Sequence, residues 1–192
     1  MREKDAANSF LRGLLQDIKE LKNDIEDLTS DLSDAEMQRQ PAPQSWSILS
    51  CIGHLNRTGS EYLPRLSQAA SISPKIDNGD SLPYRPSWTG RVFLSNLSPS
   101  SGRRLPAPRK FRPLSTIDCL ATKSEFNAQL NQLADLIGQV DGKNFNVVRF
   151  SSPLSPLIRF TLADGMAVVV THARRHMIQI TKTREIILKL EA

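Results

Sequence analysis

Thr171-His172-Ala173-Arg174-Arg175-His176-Met177-Ile178-Gln179-Ile180 holds two of the three histidines in this 192-residue chain. On a helix, residues four apart stand on one face with Cβ atoms roughly 5–6 Å apart, so His172 and His176 can share one metal ion. The surrounding pattern is helical. Thr161-Leu162-Ala163-Asp164 has the form of a capping box, and Leu162, Met166, Val169, Ala173, Ile180 and Ile187 make an apolar stripe flanking the two histidines. The spacing predicts a helix of about 28 residues reaching about Leu190, some 42 Å long.

The third histidine, His54, falls on another amphipathic segment. Ser45-Trp46-Ser47 supplies an N-cap, and Ile48, Ile52, Leu55, Tyr62 and Leu63 carry that helix to about Leu66, with Pro64 expected to kink or end it. Cys51, Thr58 and Glu61 lie near the same face as His54, at spacings of three, four and seven. Before it, Leu11, Leu14, Ile18, Leu21, Ile25, Leu28 and Leu32 describe one stripe of a first long helix, and Ser33-Asp34-Ala35-Glu36 caps a short one. After it, a cap at Ser115–Asp118 and a stripe through Ile117, Leu120, Phe126, Leu130, Leu133, Ile137 and Val140 predict another helix, stopping at Asp141-Gly142. Residues 144–158, with Pro153 and Pro156, read as a connector.

Four long helices without strand alternation predict an all-α, four-helix bundle in a single domain over residues 1–192. The connection between the second and third long helices, about residues 69–114, is long enough to permit a crossover. It is rich in proline, serine and arginine, with a short helix expected around Val92 to Leu97, and Trp88, Phe93 and Phe111 suggest that it packs down onto the bundle.

The net charge of +5 invites a nucleic-acid reading until it is mapped. Seven basic residues and no acidic one fall between Ser81 and Ile117, and without them the chain stands at −2. The basicity belongs to one segment, which argues against nucleic acid as the partner. No stretch approaches the roughly 18 apolar residues of a membrane helix, and no apolar run follows the charged N-terminus, so a cytoplasmic protein without a membrane span is expected. Cys51 and Cys119 fit no metal or redox spacing and read as buried thiols.

Imidazole suits zinc, nickel, iron or copper, and three histidine ligands leave a position open for chemistry. Three motifs extend the argument: Pro43-Gln44-Ser45-Trp46-Ser47-Ile48, Gly53-His54-Leu55, and the His172-x-x-x-His176-x-x-Gln179 helix. With the basic Ala107–Pro113 segment, and in this order, they resemble the DinB/YfiT-like superfamily over nearly the whole chain. The resemblance implies a bundle with a crossover that holds a divalent metal, zinc or nickel, on His54, His172 and His176. It also implies either a transferase activating a low-molecular-weight thiol or a hydrolase activating water. A hydrolase wants a general base, for which Glu61 is the candidate, while Gln179 can orient a ligand or stand as a polar surface residue. Arg174 and Arg175 read as solvent-exposed, Trp46 as a packing anchor at the helix start. A small-molecule substrate and a homodimer complete the expectation, against a non-catalytic dimeric bundle as the alternative.

Overall fold

The computed structural model describes residues 8–76, 82–98, 106–113 and 118–190. Helix α1 spans Ser9–Thr29, α2 Asp34–Gln38, α3 Ile48–Ser71, α4 Trp88–Leu97, α5 Cys119–Gln139 and α6 Leu162–Lys189. Strands β1 (Arg149–Ser152) and β2 (Ser155–Thr161) precede α6. Among the described residues no helix is long and apolar enough to cross a membrane.

The caps read from the sequence are present. Ser33 and Glu36 form the capping box of α2, Ser47 caps α3, and Thr161 with Asp164 forms the box that starts α6. Asp118 caps α5; the other residues of that expected cap, and Ile117 of its stripe, lie outside the described residues. Gly142 adopts φ 75° in the turn after α5, a conformation that a side chain would strain.

Packing follows the stripes. Leu11, Leu14, Ile18, Leu21 and Ile25 of α1 are buried, as are Leu130, Leu133 and Ile137 of α5 and Leu162, Met166, Ala173, Ile180 and Ile187 of α6. Helix α1 packs on α5 and α6, and α3 packs on the same two. Consecutive long helices α1 and α3 therefore face each other across the diagonal of the bundle, and so do α5 and α6. The diagonal steps fall in the first and last connections, whereas the long middle connection joins neighbours.

Several expectations need correction. Helix α3 does not end near Leu66; it runs through Pro64 to Ser71, because Leu66, Ala69 and Ala70 are buried and their packing offsets the roughly 3 kcal/mol a mid-helix proline costs. Residues 144–158 are not a plain connector. Phe150 pairs with Phe160 on the inner face of an antiparallel hairpin whose register shifts between Ser151 and Ser152; Pro153 sits in the turn and Pro156 is tolerated because β2 is an edge strand. Leu120, placed in the α5 stripe, is 79% exposed in the first turn, and Trp88 is 71% exposed at the start of α4. Phe111 and Phe93 do pack inward as expected, the first buried and the second against the core. Both cysteines are free and buried.

Candidate metal centre

The crossing of α3 and α6 brings the three histidines together. His54 Nε2 lies 3.2 Å from His172 Nε2, which lies 3.1 Å from His176 Nε2, and one nitrogen from each ring falls within 4.8 Å of the others. Nitrogens on a tetrahedral ion, at ~2.0–2.1 Å from it, stand roughly 3.3 Å apart, close to this spacing.

Protons alone do not account for the arrangement. His54 Nδ1 lies 2.7 Å from the Phe111 carbonyl, which can only accept, so Nδ1 carries the hydrogen and a neutral His54 points a lone pair at the cluster. His172 Nε2 has two nitrogen neighbours and can carry one proton for only one of them. Lone pairs converging on a point are what a divalent cation resolves, and the donor set fits one.

The electrostatics keep the rings neutral. Burial is the main cause in each case. His176 falls to about 3, with His54 and the Arg175 charge lowering it further and Gln179 opposing. His172 lies well below the usual histidine value through burial, then through His176, His54 and Arg175; as a whole residue it keeps some surface, but its imidazole is enclosed. His54 is lowered by burial against the opposing Phe111 bond. Neutral imidazole is the ligating form.

The other candidate residues separate. Glu61 does not join the histidine cluster. Its carboxylate pairs with Lys110 Nζ at 2.7 Å and Arg65 Nη1 at 3.3 Å, and the Lys110 bond holds it below the usual carboxylate range. Lys110 belongs to the 3-10 turn Arg109–Phe111, so Glu61 fastens to α3 the turn whose Phe111 carbonyl orients His54. Gln179 stands beside His176 and raises its pKa, yet the buried His176 Nδ1 has no hydrogen-bond partner.

Neither arginine of the motif is the free surface group expected. Arg174 reaches across to α1, bonding Asp17 at 2.7 Å, Asp24 at 3.3 Å and Glu20, beside a hollow of about 620 Å³ that none of the histidines lines. Arg175 donates to the carbonyls of Asn96, Leu97 and Ser98 and leaves its positive charge near the cluster.

Two contributors were not legible as site residues. The Trp46 indole packs 4.8 Å from the His54 ring and 6.1 Å from that of His176, walling the cluster as well as anchoring the start of α3. The Phe111 carbonyl is a backbone atom, for which only the aromatic residue in the basic segment gave a hint.

Comparison with known proteins agrees with the fold. A solved structure similar to this chain is YfiT from Bacillus subtilis, described as a probable metal-dependent hydrolase with an unusual four-helix bundle topology. The two share 15% identity with a TM-score of 0.57, over 91% of this chain and 86% of that one. No curated protein matches the sequence. The sequence profile of the DinB superfamily matches residues 18–180, from α1 to the Ile180 turn of α6, and therefore takes in all three histidines. The chain belongs to the DinB superfamily.

Proposed function

We propose that this protein is a divalent-metal-dependent enzyme that holds zinc or nickel on His54, His172 and His176 and transfers a low-molecular-weight thiol to an electrophilic small molecule. The observation that carries the reading is the convergence of three neutral Nε2 atoms with His54 locked by the Phe111 carbonyl. When bound, a divalent ion would supply Lewis acidity that lowers the pKa of a sulfur or oxygen nucleophile.

The surrounding residues favour sulfur. The charge of Arg175 makes the site electropositive, which stabilises an anionic nucleophile and an acidic cosubstrate. Trp46 and the turn at Phe111 keep water from the His54 side. Glu61, paired with two cations, is a poor general base, and a thiol needs none of its kind once its pKa falls. In the transfer the thiol loses its proton to solvent, the sulfur–carbon bond forms as the bond from that carbon to the leaving group breaks, and the leaving group departs with the electron pair.

A second reading, hydrolysis by water activated at the same site, is favoured by the description of the Bacillus structure. The test is metal-reconstituted protein offered a panel of low-molecular-weight thiols with an electrophilic halide, beside ester and amide substrates. Product that forms only with thiol supports transfer. Turnover of the esters or amides without thiol assigns hydrolysis instead.

A further inference from the structure

The outer face of the β1–β2 hairpin and α4 gathers exposed apolar and basic side chains. Phe150 and Phe160 pair on the inner side, so Arg149, Leu157 and Arg159, at odd positions of the same strands, share the outer side. The Thr89 hydroxyl donates to the Arg159 carbonyl at 2.6 Å, holding the start of α4 beside β2. Phe93 packs inward, its ring 5.0 Å from that of Phe160. Trp88, Arg91 and Val92 then fall on the outer side of α4, continuous with the hairpin.

The apolar side chains of this face stand out to solvent. Leu157 is 91% exposed, Trp88 71%, and Leu154 in the hairpin turn 41%. Around them Arg85, Arg91, Arg149 and Arg159 are exposed, and no hydrogen bond or ion pair of their guanidinium groups is present among the described residues. Strands β1 and β2 and helix α4 contain no acidic residue, and Asp164, next along the chain, is fully buried.

We propose that this face docks the protein on an anionic lipid bilayer. Exposed aliphatic tips with an exposed indole suit the headgroup–acyl boundary, and unpaired arginines suit acidic headgroups. A second copy of the chain is a poor occupant, since a two-fold contact would set four arginines against four. Nucleic acid is a poorer fit than lipid because Leu154 and Leu157 offer nothing to a base or a phosphate.

Co-sedimentation of the full chain with vesicles tests this, using phosphatidylcholine alone and phosphatidylcholine with roughly one-third phosphatidylglycerol. Binding is expected only to the second, with release as salt is raised. Arg91→Ser and Arg159→Ser should each weaken it about fivefold, and Leu157→Ser and Trp88→Ser should weaken it without changing the circular-dichroism melt. Equal binding to both vesicles, or unchanged binding of all four variants, overturns the proposal. So does a face that ignores vesicles but retains RNA, or one whose Leu157→Ser variant splits a dimer.

Discussion

Asp164 joins the α4 segment to the helix that carries two of the histidines, and removing it should cost the protein about 4 kcal/mol. The side chain is fully buried. One oxygen accepts from the Tyr84 hydroxyl at 2.9 Å and the Ser87 amide at 3.2 Å, and the other accepts from the Thr161 amide at 3.1 Å. Asp164→Ala leaves three donors without an acceptor, at no less than about 1 kcal/mol each. It also removes the carboxylate from the first turn of α6, worth about 1 kcal/mol more against the helix dipole. For a chain of this size that corresponds to a fall in Tm of roughly 8–16 °C. Tyr84→Phe removes one donor together with its need for an acceptor and should cost about 1 kcal/mol or less. A Cβ at Gly90 would overlap the Asp164 carboxylate, so Gly90→Ala should destabilise the wild type but cost much less in the Asp164→Ala background. Urea titrations of the four proteins give the cycle. Asp164→Ala within 1 kcal/mol of wild type, or Gly90→Ala equally costly in both backgrounds, would refute this reasoning.

Other outcomes follow from the same geometry. In chelator-treated protein the unfolded chain protonates His176 near 6.5 and the folded chain only near 3. The contribution of the neutral ring is therefore complete above the higher value and is lost as pH falls toward the lower. His176 alone removes about 2 kcal/mol between pH 7 and pH 5, His54 and His172 add in the same direction, and urea midpoints of His176→Asn should show a smaller loss. Gly59→Ala should displace the Gln129 side chain that lies against Gly59, breaking its bonds to the Asn56 carbonyl and Glu125, a cost of about 1–3 kcal/mol by the same titration. Arg174→Ala should lower Tm by a few degrees by freeing the acidic face of α1, with the deficit shrinking as salt is raised.

What could be read from the chain was what repeats or caps. The stripes of α1, α5 and α6 follow the helical period because each buries one face, and the capping boxes at Ser33 and Thr161 mark the starts of α2 and α6 with local chemistry. The histidine trio was legible because two members share a helix face and the third sits on the buried side of α3. The hairpin is hard to read because its strands are short, Pro153 sits in its turn and Pro156 in β2, and it is held by Phe150 and Phe160 meeting the core, a tertiary effect. Pro64 signalled a break that burial further along α3 overrode. Along its own helix Glu61 has the spacing of a base, whereas Lys110, 49 positions away, decides its role. Arg174 likewise looked exposed until α1 supplied its three acids.

His54, His172 and His176 are expected to hold one divalent ion through their Nε2 atoms. Protein purified without a nickel column, stripped with chelator and titrated with zinc or nickel reads it directly by calorimetry and elemental analysis. One ion per chain is expected, with affinity lowered at least tenfold by His54→Ala, His172→Ala and His176→Ala, and loss of metal as pH falls below about 6. Undiminished one-to-one binding in all three variants, or metal retained at pH 4, would contradict it.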